Sequence, residues 1–226
     1  MRLLLATHNE HKRREFARLL LAAGGERGRG PAVRVCELQS LPADVILPPE
    51  DGLTFAENAL GKARAAASAT RRASIADDSG ICSAALAGAP GVRSARYAGE
   101  DATDEENLAK LLREAAPGSA LEYVCVIAYV DPAADLERTF EGRCGGRLAQ
   151  APRGHGGFGY DPAFVPDGEP HGLTMAELSE AQKDEISHRG RAARALLGWL
   201  RETAADAGPG TEGSTAADGS GPARAD

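Results

Sequence analysis

The fold is decided by residues 121–130, LEYVCVIAYV, which form the longest strand signal in the 226-residue chain. Asp131 and Pro132 follow as a turn, and residues 136–143 (LERTFEGR) are expected to return beside that strand as a hairpin. Elsewhere, short apolar runs alternate with segments of helical periodicity, as is typical of α/β proteins. Because the hairpin is antiparallel, we predict a mixed α/β sheet with helices on both faces.

Helices are predicted from capping signals and from apolar residues three and four positions apart. Thr-x-x-Glu capping boxes begin at Thr54, Thr103 and Thr174, and further helices are expected after Asn9 and Ser187. Other strands are predicted at residues 1–6, 33–38 and 74–77.

One domain is expected over residues 1–202, followed by a tail at residues 203–226. The tail contains no aromatic residue and no aliphatic residue larger than alanine. It cannot bury enough apolar surface to order itself, so we predict that it is disordered. Residues 24–31 (GGERGRGP) predict a flexible loop between a helix and a strand.

Composition argues against several classes of protein. The net charge is −7, whereas proteins that bind nucleic acids or anionic membranes present a basic face, so neither partner is expected. No run of about 18 apolar residues is present to cross a bilayer. The cysteines include no Cys-x-x-Cys pair; we interpret them as reduced thiols, with two disulfides as the alternative. A soluble, cytoplasmic protein is expected.

The first candidate site, residues 7–12 (THNEHK), lies where the first strand passes into the first helix. A helix start offers free N–H groups and a positive dipole end, and Lys12 adds charge, which together suit a polyphosphate. The alternative is an ordinary helix start capped by Asn9. His8 and His11 could ligate a metal, but no carboxylate clearly shares their face, so we interpret them as solvated histidines.

The second candidate site is residues 76–80 (ADDSG), expected directly after a strand. Ligands of open α/β sheets bind at the C-terminal edge of the strands, and paired carboxylates there suit Mg²⁺. The alternative is a polar turn, for which Asp-Asp-Ser-Gly is also suited. Glu50 and Asp51 either add carboxylates to this site or are solvated loop acids.

Two further segments could contact an aromatic base. Residues 154–162 (GHGGFGYDP) combine glycines with Phe158, which could stack on a purine whose edge Asp161 reads; a flexible loop is the alternative. His188 and Arg189 fall in the first turn of the last predicted helix, where positive charge is unfavourable. This favours hydrogen bonds from these side chains to ligand carbonyls, with surface charges as the alternative.

Six motifs, taken in order, cover the chain from Leu3 to about Leu200 and resemble one family, the non-canonical purine nucleoside triphosphate pyrophosphatases (inosine/xanthosine triphosphatase, Ham1-like). The motifs are residues 6–16 (ATHNEHKRREF), 54–63 (TFAENALGKA), 76–80 (ADDSG), 88–97 (GAPGVRSARY), 156–162 (GGFGYDP) and 186–190 (ISHRG).

The resemblance implies a mixed α/β fold of the ITPase/Maf-like type, with a long twisted central sheet, in a homodimer. It also implies a Mg²⁺-dependent hydrolase that converts dITP, ITP, XTP and dXTP to the monophosphate and pyrophosphate. Such an enzyme would remove deaminated purines from the nucleotide pool.

The resemblance also assigns roles to individual residues. Asp78 is the implied catalytic acid and metal ligand, Glu50 the second metal carboxylate (with Asp51 as the alternative), and Ser79 a substrate contact. The triphosphate is assigned to Thr7, His8, Asn9, Glu10, His11 and Lys12, supported by Lys62. The base is assigned to Phe158, Gly159, Tyr160, Asp161, Lys183, His188 and Arg189.

Two other functions remain open at this point. A Maf-like pyrophosphatase would apply similar phosphate chemistry to other bases, but the His188-Arg189 pair and the Phe158 segment argue against it. A nucleotide sensor would bind without hydrolysis and would not need both Asp77 and Asp78.

Overall fold

The computed structural model describes residues 1–22 and 36–206, and its central feature in that part of the chain is a six-stranded sheet ordered β2-β1-β3-β4-β5-β6. The strands are β1 (Arg2–Leu5), β2 (Glu37–Ser40), β3 (Ser74–Ser83), β4 (Ala120–Asp131), β5 (Leu136–Leu148) and β6 (Phe164–Pro166). The helices are α1 (Glu10–Ala22), α2 (Phe55–Thr70), α3 (Asp104–Glu114), α4 (Glu180–Ile186) and α5 (His188–Asp206).

Strand pairing is parallel on one side of the sheet and antiparallel on the other. β1 pairs in parallel with β2 and β3, whereas the β3–β4, β4–β5 and β5–β6 pairs are antiparallel. The hairpin expected from residues 121–143 is the β4–β5 pair, with Val130 opposite Glu137. The predicted mixed α/β sheet is confirmed.

Alternate residues of β4 face two separate cores. Ile127 and Tyr129 lie in an apolar cluster with residues of α1 and α5, such as Phe16 and Leu196. Val126, Ala128 and Val130 lie in another cluster with Ala59, Ala63, Ala66 and Ala67 of α2. The sheet therefore has helices on both faces, as predicted, because side chains of a strand alternate across it.

Glycine lets α5 pack directly on the sheet. A Cβ at Gly142 of β5 would overlap the carbonyl oxygen of His188 and the nitrogen of Ala192 in α5. No helix in the described residues is long and apolar enough to cross a bilayer. The four cysteines are free thiols.

The prediction that a strand ends at Asp77 was wrong. β3 continues to Ser83, and Asp77 and Asp78 pair with Ile127 and Val126 of β4. The alternative of a polar turn at residues 76–80 was also wrong, because all five residues lie in β3. The ten backbone pairs that β3 makes with β4 outweigh the turn propensity of Asp-Asp-Ser-Gly.

Two of the three predicted capping boxes are confirmed, at Thr54 and Thr103. At Thr174 the prediction of a helix was wrong: the segment is a turn, and the Thr174 hydroxyl donates to the carbonyl oxygen of Arg153 (2.9 Å). The next helix, α4, begins at Glu180 behind a Ser179–Gln182 box.

Helix α5 runs to Asp206, so residues 203–206, expected in the tail, are helical. The rest of that tail, the loop expected at 24–31, and residues 33–35 of a predicted strand lie outside the described residues.

Candidate active site

A cleft of about 530 Å³ lies between the start of α1, the segment before α2, the middle of β3, the 158–161 segment and the start of α5. Fifteen predicted site residues line it: Thr7, His8, Asn9, Lys12, Glu50, Lys62, Asp78, Ser79, Phe158, Gly159, Tyr160, Asp161, Lys183, His188 and Arg189. Glu10 and His11 are not part of the lining. Glu10 pairs with Arg13 on the exposed side of α1, and His11 stacks on Phe158 at 5.3 Å between ring centres.

The start of α1 forms one end of the cleft. The Asn9 side chain accepts a hydrogen bond from the N–H of Lys12 (3.0 Å), and the Thr7 hydroxyl accepts one from the N–H of Asn9 (3.2 Å). Asn9 therefore caps the helix, as predicted. The capped end still presents the positive end of the helix dipole to the cleft.

Asp77 holds two cations on the α1 and α5 side of the sheet. Its carboxylate lies 3.0 Å from the Lys12 ammonium and 3.4 Å from the Arg189 guanidinium, and it is fully buried. Burial alone would raise the pKa of Asp77, but Lys12 and Arg189 outweigh it and hold that pKa well below its usual range. Asp77 was noted in the sequence only as part of an acidic pair, and its structural partners could not be read from that pair.

Asp78 faces the opposite side, towards α2. It accepts a hydrogen bond from the Asn58 amide (2.9 Å). Burial raises the pKa of Asp78, the like charge of Glu50 adds to the rise, and the charges of Lys62 and Lys12 oppose it. A carboxylate with a raised pKa binds a proton more readily than an ordinary aspartate.

Lys62 lies beside both acids of this side and, among the described contacts, is bonded to one of them. Its ammonium forms an ion pair with Glu50, and the attraction of Asp77, Glu50 and Asp78 raises the pKa of Lys62 against the effect of burial. The Glu50 carbonyl also accepts a hydrogen bond from Arg96. The segment that carries Glu50 is thus tied to both α2 and the 3₁₀ helix Gly91–Arg96.

Asp78 and Glu50 both line the cleft, and carboxylate oxygens are ligands that Mg²⁺ prefers. Mg²⁺ is commonly held by one or two carboxylates and completes its shell with water and substrate phosphates. Within the described residues no group of three or more His, Cys, Asp or Glu side chains is arranged around a common point. The two carboxylates therefore suit an ion whose remaining ligands come from the substrate and water.

Asp161 fixes the glycine-rich segment at the other end of the cleft. One oxygen accepts from the Tyr123 hydroxyl (3.1 Å), and the other accepts from the Phe158 N–H (3.0 Å) and the Lys183 ammonium (2.7 Å). A Cβ at Gly157, whose φ is +71°, would overlap this second oxygen. The role predicted for Asp161 is to hydrogen-bond the edge of the base. These three internal hydrogen bonds compete with that role.

Glu15 was not predicted as a site residue, although it lies in the first motif, residues 6–16. One oxygen accepts from Lys183 (2.7 Å), and the other pairs with Arg189. Arg189 also donates to the Ser79 hydroxyl (2.8 Å). Glu15 lies three residues after Lys12, on the same face of α1, and this spacing is the signal that could have identified it.

His188 is buried against Tyr123, with the two rings stacked 4.5 Å apart. Burial, reinforced by the charges of Arg189 and Lys183, keeps the pKa of His188 well below 6.5, so the ring is neutral at physiological pH. The His188 Nδ1 and the Arg189 Nε have no hydrogen-bond partner within the described residues. Buried polar atoms without partners beside a cleft fit a polar ligand that supplies them.

The fold and this cleft define a class of protein: a mixed α/β protein whose cleft suits a phosphate chain at one end and an aromatic base at the other. The chain belongs to the Ham1 family, whose model matches residues 3–199. The family resemblance and the fold predicted from the sequence are therefore confirmed.

Named relatives and a solved structure match between 84% and 89% of this chain. A dITP/XTP pyrophosphatase of Geobacillus kaustophilus is 46% identical over 84% of this chain and 89% of its own length. One of Mycolicibacterium paratuberculosis is 44% identical over 89% of this chain and 97% of its own length. The structure of a HAM1 protein from Coxiella burnetii is similar with a TM-score of 0.75 and 37% identity, covering 89% of this chain and 99% of that one.

Proposed function

We propose that this protein hydrolyses non-canonical purine nucleoside triphosphates, dITP/ITP and XTP/dXTP, to the monophosphate and pyrophosphate. The observation that carries the proposal is a single cleft holding Lys12 and Lys62, the Asp78–Glu50 pair and the Phe158 segment. The relatives named dITP/XTP pyrophosphatase support the same reaction. The enzyme would remove deaminated purines before polymerases use them.

The phosphate chain would bind at the start of α1. Free N–H groups of the first helical turn and the Lys12 and Lys62 ammonium groups would neutralise the phosphate oxygens and the departing pyrophosphate. Positioning and charge supply most of the catalysis in phosphoryl transfer, so these residues would contribute without forming a covalent bond.

Asp78 would accept the proton of the attacking water. Its buried carboxylate has a raised pKa, which favours proton uptake. Asp78 and Glu50 would also hold Mg²⁺, which when bound supplies charge neutralisation and lowers the pKa of water. The breaking bond is the one between the α phosphorus and the bridging oxygen, which leaves with the pyrophosphate.

The base would bind between Phe158 and the polar groups of α4 and α5. Inosine and xanthosine carry a 6-oxo acceptor where adenosine carries an amino donor. Lys183 and Arg189 are cationic donors fixed by Glu15, and the neutral His188 adds an N–H. Each unmet buried polar group costs about 1–3 kcal/mol, so donors facing an adenine amino group would disfavour ATP.

We also propose the finer properties that the family resemblance implies. Mg²⁺ would be the working metal, the chain would be one domain over residues 1–202, and it would act as a homodimer in the cytoplasm. Neither nucleic acid nor a membrane would be a partner, in keeping with the net charge of −7.

The test is a panel of nucleoside triphosphates, incubated with Mg²⁺ and scored for pyrophosphate against orthophosphate. Pyrophosphate from dITP and XTP, with little from ATP, would support the proposal. Preference for other bases would favour the Maf-like alternative. Binding without turnover would favour a sensor, and orthophosphate as the sole product would contradict the proposed bond cleavage.

A further inference from the structure

The two carboxylates assigned to the reaction lie on different parts of the chain. Asp78 is in the middle of β3, and Glu50 is in the irregular segment before α2. For them to act on the same substrate, some group must fix the irregular segment relative to the strand. Lys62 pairs with Glu50, and Arg96 holds its carbonyl, but neither forms a hydrogen bond to Asp78 among the described contacts.

Asn58 makes the missing connection. Its amide nitrogen donates to Asp78 (2.9 Å), and its amide oxygen accepts from the backbone N–H of Gly52 (2.8 Å), two residues after Glu50. The side chain is buried, at 5% exposure, and it is not among the residues that line the cleft. Asn58 therefore contacts Asp78 and the Gly52 backbone without lining the cleft itself.

Local structure holds Asn58 in this position. It lies in the first turn of α2, behind the confirmed Thr54–Glu57 capping box. The fully buried Ala59 and Ala63 allow α2 to pack closely on β3 and β4, which brings Asn58 within reach of Asp78. A rigid helix end positions a polar side chain better than a loop would.

Gly52 forms the other half of this contact, and its lack of a side chain allows the close approach. A Cβ at Gly52 would lie 2.6 Å from the Asn58 oxygen and 2.9 Å from the Glu57 Cβ. Both distances are too short for real atoms, so the approach of the Gly52 backbone to Asn58 requires glycine.

We infer that Asn58 is a positioning residue that holds the Asp78 carboxylate and the segment bearing Glu50 in fixed relation to each other. This inference rests on the proposed function. Because Asn58 touches Asp78 but not the cleft, its loss would lower kcat and leave KM nearly unchanged. Removing a partner that orients a working carboxylate typically costs roughly 10- to 100-fold in activity.

Asn107 provides a matched control. It is a buried asparagine of α3 that also holds two groups: it donates to the Ala95 carbonyl (3.1 Å) and accepts from the Ala98 N–H (2.7 Å). It contacts no carboxylate. A merely structural role for Asn58 would make variants at the two positions behave alike.

The experiment measures kcat and KM for dITP, thermal unfolding, and hydrogen exchange of the Gly52 amide in the full chain. Asn58→Ala should lower kcat roughly 10- to 100-fold and speed exchange at Gly52, since both bonds are lost. Asn58→Asp keeps an acceptor for Gly52 but replaces the neutral amide donor by a second carboxyl group that must share a proton with Asp78, so kcat should fall while Gly52 stays protected. Asn107→Ala should lower the unfolding temperature but reduce kcat much less than Asn58→Ala does, because Asn107 bonds to neither Asp78 nor Gly52 among the described contacts.

Several outcomes would decide the matter. Asn58 variants whose kcat matches that of Asn107→Ala, or whose loss lies only in KM, would overturn the inference while leaving the proposed function intact. A wild-type protein that releases no pyrophosphate from dITP would overturn both. If Asn58→Ala does not fold, Asn58→Asp and Gly52→Ala decide, and both should lose kcat.

Discussion

Asp77 and Asp78 are neighbours in the sequence and face opposite sides of the sheet. Asp77 pairs with Lys12 and Arg189 on the side of α1 and α5, whereas Asp78 accepts from Asn58 on the side of α2. The division follows from the alternation of side chains along β3. The two acids therefore have different surroundings: Asp77 neutralises the partly exposed Lys12 and the buried Arg189, whereas Asp78 lines the cleft.

The first prediction concerns Asp78. Asp78→Asn should lower turnover of dITP roughly 100- to 10,000-fold, the usual contribution of a positioned general base. Because burial already raises the pKa of Asp78, removing its charge should not destabilise the fold at neutral pH. Pyrophosphate release and chemical unfolding measure the two effects. Near-normal turnover in this variant would refute the assignment.

The second prediction concerns Asp77. Asp77→Asn removes the ion-pair partner of Lys12 and leaves the buried Arg189 with Glu15 as its only carboxylate, which should lower the free energy of unfolding by about 3–5 kcal/mol. Urea unfolding of the variant and of Asp78→Asn at the same pH provides the comparison. Equal stability of the two variants would show that the acids do not have separate roles.

A pH dependence is predicted for Glu15. Burial alone would raise its pKa, but Arg189 and Lys183 outweigh it and hold the folded-state pKa below the ordinary 4.5. A depressed pKa contributes stability that is full above the unfolded value and is lost as the pH falls through the folded value. Glu15→Gln should thus be less stable than the wild type by about 3–5 kcal/mol near pH 7. The difference should shrink below pH 4.5.

Unfolding of both proteins from pH 3 to pH 8 measures this difference. Asp44→Asn, at an exposed turn position, should stay within about 0.5 kcal/mol of the wild type throughout. A difference for Glu15→Gln that does not change with pH would contradict an ionic role.

The last prediction concerns Gly157. Gly157→Ala adds a Cβ that overlaps Asp161 at a φ of +71°, so the Phe158 segment should shift. Strain of about 1–3 kcal/mol is expected locally, and KM for dITP should rise with a smaller change in kcat. Gly168→Ala is the control, because φ is +79° there but no atom lies within 4 Å of the added carbon. Equal KM values for the two variants would argue against the contact.

Much of the fold could be predicted from the sequence because its signals are local. The β4–β5 hairpin has a long apolar run and a turn, and the helix starts at Thr54 and Thr103 have complete capping boxes. At Thr174 only half of the box forms: the Glu177 carboxylate accepts from the Thr174 N–H, but the Glu177 N–H bonds to the Thr174 carbonyl oxygen in a turn. The Thr174 hydroxyl is oriented by Arg153, which is distant in sequence, and a local pattern does not include such a contact.

Motifs predicted most of the residues that line the cleft. They did not predict which distant residues pair with one another. Glu15 and Asn58 were both within quoted motifs, yet their partners lie 168 and 20 residues away, at Lys183 and Asp78. The continuation of β3 through Asp77 and Asp78 likewise depends on its neighbour β4. Such contacts follow from tertiary packing rather than from the local sequence.

The absence of a side chain at Gly142 has a consequence for protein engineering. This strand residue does not line the cleft, yet any larger amino acid there would push away the helix whose first residues are His188 and Arg189. A mutant library limited to the residues that line the cleft would not include Gly142. If His188 and Arg189 contact the base as proposed, a substitution in β5 would alter substrate preference by tilting the helix that carries them, without replacing either residue.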